Sequence, residues 1–220
     1  MKKLIFSLAI AGLFAGACQN KKSRKEQQQS NSEKSLTTPS ANSSFFYTYD
    51  NSQTSVEWTA FKTTAKTAVG GKFNTFTVTG TKRSIDPKKV IENLSFRINT
   101  ASVNTNMKER DVKIVSYFFK KMVNTEFISG SVKSLGKKGK GMLSLTMNNV
   151  TKDLPIDFRI SGDTVRFSGT INLGKWNGSQ AVKSLNKNCY VLHKGKDGIS
   201  KLWPEVAFKV STLLKKTEKK

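Results

Sequence analysis

The chain has 220 residues, 36% of them hydrophobic and 10% aromatic, enough apolar material for the core of one ordinary domain with polar additions. With 38 Lys and Arg against 15 Asp and Glu, the formal net charge of +23 favours anionic partners such as nucleic acid, phosphorylated lipid or a membrane surface; the alternative is a solvated basic surface with no dedicated partner. Two cysteines far apart, Cys18 and Cys189, make no disulfide framework, and a single histidine without a cysteine cluster argues against a metal centre.

The first stretch, "MKKLIFSLAIAGLFAGAC", opens on Lys2 and Lys3 and then runs apolar from Leu4 to Ala17. That run is short for a membrane span and suits a secretory h-region. Ala15, Gly16 and Ala17 lead into Cys18, a pattern that resembles a lipobox, the recognition site of the lipoprotein signal peptidase. Ala15 stands where the common pattern has Leu. The expectation is a signal peptide over residues 1–17, with Cys18 as the acylated mature N-terminus; the alternative is a plain signal peptide with an incidental cysteine. Buried acyl chains contribute about 0.8 kcal/mol per CH₂, so two or more anchor firmly to a membrane. Residues 18–44 are almost devoid of apolar side chains after the cysteine and read as a flexible polar stalk. Gln19 is not the Asp of the familiar inner-membrane sorting rule. The expected location is therefore the cell envelope, the outer membrane before the inner, with the domain periplasmic or surface-exposed.

From Phe45 the dominant period is two. Val56, Trp58 and Ala60 share one face, as do Leu94, Phe96 and Ile98, then Leu143, Leu145 and Met147. The pattern continues with Leu154, Ile156, Phe158 and Ile160, with Val165, Phe167, Gly169, Ile171 and Leu173, and with Val206, Phe208 and Val210. Such alternation predicts antiparallel strands, dry on one face and wet on the other. "VGGKF" at 69–73, "NNVTKD" at 148–153 and "SGDT" at 161–164 read as turns. "NMKERDVKIVSYFFKKM" breaks the period and predicts a short helix, with Asn106 as its cap and Glu109 completing a capping box. Residues 176–202 have no clear period and read as a long loop with some helix. About eight strands predict a closed antiparallel β-barrel, with a two-sheet sandwich as the alternative. An eight-stranded barrel is wide enough for one small ligand when side chains do not fill it.

The ordered set "WTAFKTTAKTAVGGKFNTFTVTG", "MKERDVKIVSYFFKKM", "INLGKW" and "LWPEVAFKV" resembles the YceI-like family of secreted lipid- or polyisoprenoid-binding proteins. The resemblance covers residues 45–214 and leaves 215–220 as a basic tail. It implies an all-β, lipocalin-like eight-stranded barrel with one short helix and a long C-terminal loop, whose interior holds an isoprenoid tail. It further implies a binding or carrier role without catalysis, and no cofactor beyond a bound isoprenoid or fatty lipid.

The residues expected to meet such a ligand are Trp58, Phe73, Phe96, Ile98, Leu145, Phe158 and Phe167 on inward faces, and Phe118, Phe119 and Arg110 on the helix. For the aromatics the competing reading is plain core packing. For Arg110 it is an ion pair with Asp111 that fixes the helix start. Cys189 and His193 lie four apart in "CYVLH" but lack an orienting third group, so a buried thiol and a surface histidine are expected rather than a nucleophilic pair. The partners expected are an apolar lipid and, through the acyl chains, a membrane. A basic β-domain can bind nucleic acid, but an exported protein meets little of it. The rival is a non-catalytic envelope interaction module with a packed core, touching anionic lipid or polysaccharide through its basic surface. The sequence carries no signal for an oligomer.

Overall fold

A computed structural model describes residues 44–219. The expected signal segment, Cys18 and the stalk up to residue 43 lie outside the described residues. Two strands stand apart from the main sheet: β1 (Phe45–Thr48) and, at the far end of the chain, β12 (Lys215–Glu218), paired antiparallel from Phe45↔Glu218 to Thr48↔Lys215. Lys215–Glu218 of the expected basic tail therefore form a strand. Lys216 fastens it by an ion pair to Asp163 at 2.9 Å, and Tyr47 exchanges backbone hydrogen bonds with Ser84 at 2.7 and 3.1 Å.

The main sheet contains β2 (Thr54–Lys62), β3 (Thr67–Phe73), β4 (Phe76–Thr79), β5 (Ser95–Asn99) and β6 (Val103–Asn104). After them come β7 (Phe127–Leu135), β8 (Lys140–Met147), β9 (Val150–Ser161), β10 (Thr164–Asn172) and β11 (Leu202–Leu213). Every pairing is antiparallel, in the order β4-β5-β7-β8-β9-β10-β11-β2-β3-β6. The two ends of that order are not free edges. β4 continues β3 past a break at Asn74–Thr75, and β6 follows β5 after a single turn at Thr100–Ser102. Phe73 pairs with Val103 and Phe76 with Ile98, while Asn74 donates to the Ser102 carbonyl and Asn99 to the Thr75 carbonyl, each at 3.0 Å. Ten segments are thus eight barrel strands, two of them bent, and closure leaves no long edge exposed.

The predicted inward faces hold throughout. Val56, Leu143, Leu145, Met147, Leu154, Ile156, Val165, Phe167 and Leu173 are buried, with Trp58, Phe96, Ile98, Val206, Phe208 and Val210 packed against them.

Several local expectations do not hold. "VGGKF" is no turn: residues 69–73 lie inside β3, and the chain reverses instead at Thr63–Lys66, where Thr63 and Lys66 adopt φ of 61° and 55°. Only Asn148 and Asn149 form the next turn. Both have positive φ, as a two-residue hairpin matched to strand twist requires. Among the described residues there are three α-helices, α1 (Pro87–Ile91), α2 (Lys108–Tyr117) and α3 (Ser179–Asn188); α1 was not expected, and α3 is the helix within the expected long loop.

Asp86 caps α1 through the Lys88 N–H at 2.9 Å, Pro87 stands at its first turn, and Val90 and Ile91 are wholly buried where β4 returns to β5. Asn106 does not cap α2, because its φ of 59° places it in the left-handed region before the helix. Asp111 instead reaches back to the Thr105 N–H at 2.9 Å and hydroxyl at 2.7 Å, tying the first turn of α2 to the exit from β6. α2 and α3 join β6 to β7 and β10 to β11, so both lie at the barrel end where β2 finishes at Lys62, and there they pack against each other.

Candidate functional site

The barrel is hollow in part. Near its floor Leu135, Ile156 and Val165 are buried in the packed core, and Phe158 packs with them opposite Phe167. Nearer α2 and α3 a cavity of about 450 Å³ opens, within the size range of small-molecule sites. Nine of the ten residues expected to meet a ligand line it: Trp58, Phe73, Phe96, Ile98, Leu145 and Phe167 from the strands, and Arg110, Phe118 and Phe119 from the helical end. Phe158 does not. It obeys the same alternation but sits too close to the packed floor, a distinction that period alone cannot draw.

Two consecutive phenylalanines shape the wall under α2. Phe118 and Phe119 meet edge to face with ring centroids 5.0 Å apart, and Phe119 leans on Phe73 at 6.1 Å. Arg110 makes no ion pair with Asp111, whose carboxylate is engaged by Thr105, and its side chain is left to line the cavity.

Trp58 is seated by a glycine. A Cβ on Gly71, its partner across β3, would fall 2.5 Å from Cζ2 and 2.8 Å from Cε2 of the indole. The glycine that looked like a turn signal is the space into which the ring packs. The other two indoles are satisfied: Trp176 donates to the Leu145 carbonyl at 3.0 Å and Trp203 to the Thr63 carbonyl at 2.7 Å. The buried Trp58 Nε1 has no acceptor.

The mouth is polar and basic at its rim. Lys62, Arg110, Lys113 and Glu109 border it with Trp203 and His193. Lys62 donates to the Leu192 carbonyl at 2.8 Å, and Lys66 and Lys201 lie over the Trp203 ring at 4.2 and 3.6 Å from its centroid. Around the same opening Met107, Val112, Tyr190, Val191 and Leu192 are each more than half exposed, an apolar fringe among the lysines. The sequence reading missed Lys62, Lys113, Leu192, His193 and Trp203. The last three come from, or follow directly on, the stretch without a period, where no face could be assigned.

His193 is buried rather than on the surface. Asn186 donates its amide to the Ser200 carbonyl at 3.4 Å, which turns Asn186 Oδ1 towards His193 Nδ1 at 2.8 Å. Nδ1 therefore carries the proton and Nε2 its lone pair. Burial, with Lys62 adding repulsion, lowers the imidazole pKa from 6.5 to about 4. A depressed histidine is neutral in the fold, so between pH 6.5 and about 4 only the unfolded chain takes up the proton, and stability falls as pH falls through that window. The expected loss by pH 4 is on the order of 2–3 kcal/mol. Urea midpoints at pH 7 and 4.5 should show it, and His193→Gln should flatten the slope; an unchanged slope would put the titrating group elsewhere. Burial likewise raises the Cys189 thiol, against the pull of Lys113 and Lys62, so it stays protonated at neutral pH and offers no thiolate nucleophile.

Residues 47–211 match the family model described as the YceI-like domain. The fold is similar to a polyisoprenoid binding domain from Saccharophagus degradans implicated in plant cell wall breakdown. That likeness has a TM-score of 0.55 at 11% identity, over 79% of this chain and 99% of that one. It is similar too to BcnA of Burkholderia cenocepacia, with a TM-score of 0.50 at 16% identity over 76% of this chain and 99% of that one. No curated protein sequence matches the chain. With three quarters of its length inside the family model and the barrel common to these structures, this chain belongs to the YceI-like family.

Proposed function

We propose that the protein binds one apolar lipid, of polyisoprenoid quinone or prenyl-phosphate type, and sequesters or carries it at the cell envelope without catalysis. The observation that carries this reading is the apolar cavity of about 450 Å³ inside an otherwise well-packed barrel. A protein interior normally closes to near-crystalline density, so a hollow of this size lined by aromatic and aliphatic side chains is space kept for something else. The polyisoprenoid binding domain of similar fold supports the ligand class. Lys62, Arg110 and Lys113 at the rim suit a polar head, and the exposed Met107, Val191 and Leu192 suit an opening that receives its ligand from a bilayer. The lipobox-like approach to Cys18 supports tethering by acyl chains, which would hold the domain beside its lipid source.

The test is to purify the full chain from a bacterial host, extract it with organic solvent and weigh the extract by mass spectrometry. About one equivalent of an isoprenoid or fatty lipid per chain is expected. A chain that yields none, and takes up none when mixed with isoprenoid vesicles, would sink this reading.

A further inference from the structure

Three consecutive large hydrophobic side chains, Tyr190, Val191 and Leu192, stand 52%, 77% and 55% exposed on the turn that follows α3. Apolar residues exposed singly need no explanation, but three in a row at the apex of a turn do. The backbone there is well held. The Cys189 and Tyr190 carbonyls accept from the His193 N–H at 3.0 and 3.2 Å, and the Val191 carbonyl accepts from the Lys194 N–H at 3.3 Å. The Leu192 carbonyl accepts from Lys62 Nζ at 2.8 Å, and His193 beneath is held by Asn186. The apex thus presents side chains over engaged carbonyls. A segment entering a lipid phase needs this, since hydrocarbon offers backbone groups no partner.

Cations ring this apex. Lys194 lies over the Tyr190 ring at 5.4 Å from its centroid, and Lys66 and Lys201 flank Trp203. At the base of the turn burial raises the Cys189 thiol pKa, and Lys62 and Lys113 stand close enough to oppose that rise. α2 and residues 189–203 carry Lys108, Arg110, Lys113, Lys194, Lys196 and Lys201 against Glu109, Asp111 and Asp197. Two of those three carboxylates are already engaged, Asp111 by Thr105 and Asp197 by Thr64 and the Ile199 N–H. Lysine stems lie along apolar surface while their ammonium groups reach outward, so an apolar apex and a cationic collar serve one partner together. An acidic protein surface would meet the collar and leave the protruding apex in water. An anionic bilayer takes both, its phosphates meeting the lysines and its acyl boundary the apex.

We propose, building on the encapsulation reading above, that the turn at residues 190–192 and the start of α2 form a docking surface for an anionic lipid bilayer. Val191 and Leu192 enter the boundary between headgroups and acyl chains, Tyr190 sits at headgroup level, where amphipathic rings concentrate, and the lysines meet the phosphates. Met107 and Val112, each more than half exposed, extend the apolar contact from α2. Met107 and Leu192 also border the cavity, so docking sets its opening against the acyl region. A lipid tail then passes between bilayer and barrel without crossing water.

The experiment uses the full chain carrying Cys18→Ser, so that no acyl chain at that position contributes. It is mixed with isoprenoid-free vesicles that have brominated acyl chains, made of phosphatidylcholine alone or of equal parts phosphatidylcholine and phosphatidylglycerol. Val191→Trp places a reporter at the apex, and Ser161→Trp places one at the exposed end of β9, at the opposite end of the barrel. With phosphatidylglycerol present, the emission added by Val191→Trp should shift to the blue and be quenched, while that added by Ser161→Trp should do neither. In the Val191→Trp background, Leu192→Asp should weaken docking about tenfold, and Lys194→Gln with Lys201→Gln about fivefold per lysine. Added salt should weaken it as well. Quenching equal at both ends, or unchanged without phosphatidylglycerol, would overturn the docking surface. A blue shift produced by polyglutamate and not by vesicles would overturn it in favour of an acidic protein. Apex quenching in a chain whose organic extract holds no lipid would support the surface and overturn the encapsulation reading; a lipid-loaded chain without apex quenching would do the reverse.

Discussion

Ala60→Trp should give a folded chain that emerges from purification with less than a tenth of the lipid bound by the unaltered protein. Ala60 faces the cavity between Val69 on β3 and Val206 on β11, one inward step from Trp58 towards the mouth. Inserting an indole into a filled core forces neighbours off their rotamers and costs typically 1–3 kcal/mol. Here the ring enters open space, so much of that strain is avoided and the melting temperature should move by only a few degrees. The ligand bears the loss instead. A five-carbon isoprene unit removed from water contributes on the order of 2–3 kcal/mol at about 25 cal/mol per Å². Displacing one such unit therefore weakens binding by about 30- to 150-fold. Thr59→Trp, on the opposite face of the same strand, is the control and should retain its lipid. An Ala60→Trp chain that still carries a full equivalent would mean that the lipid sits elsewhere than in the barrel.

How much of this was readable beforehand depends on what each residue faces. The strands were legible because a barrel wet outside and dry inside writes a period of two into every strand that lines it, and β2, β5, β8, β9, β10 and β11 all carry that signal. β7 does not. Gly130 stands in the middle of its inward face, because a Cβ there would come within 2.1 Å of the Ser144 carbonyl oxygen and 2.7 Å of the Phe96 ring, and a bulge between Val132 and Ser134 then shifts the register. The same cause hid β3, whose Gly70-Gly71 pair imitates a turn while one of the two makes room for Trp58. A glycine in a strand can thus mean a neighbour's bulk, and sequence does not name the neighbour.

The site divides along the same line. Which residues point inward was legible, so nine of the ten chosen residues do line the cavity, but where hollow gives way to packed floor was not, and Phe158 fell on the wrong side. The mouth was the least legible part. His193 and Trp203 are held by Asn186 and Thr63, contacts between segments 7 and 140 residues apart, and no local pattern encodes such distances. Cys18 and the stalk, by contrast, are read from residues in sequence alone, and the experiment that bears on them is the mass of the mature N-terminal peptide.

Trp176→Ala should be the most damaging single substitution outside the strands. The indole is 1% exposed in the short turn Leu173–Trp176 that leaves β10, and it is the largest of the fully buried side chains. Truncating a buried tryptophan costs about 3–5 kcal/mol in lost packing and cavity formation. The Leu145 carbonyl loses its indole donor as well. The Asn148 amide that donates to the Trp176 carbonyl at 2.8 Å keeps a backbone partner, but one no longer anchored by the ring. In a domain of this size each kcal/mol lowers the melting temperature by about 2–4 °C, so a fall of about 10 °C or more is expected, with the urea midpoint shifting at constant slope. Trp176→Phe separates the causes: it retains most of the packing and should cost only about 1–2 kcal/mol, the share of one buried hydrogen bond and a smaller ring. Because Leu145 is also cavity wall, the damage should reach the ligand. Bound lipid stabilises the folded state in proportion to its affinity, so the gap between loaded and lipid-free midpoints should shrink in Trp176→Ala and persist in Trp176→Phe. A full gap in both variants would mean that the turn stabilises the barrel without shaping its hollow.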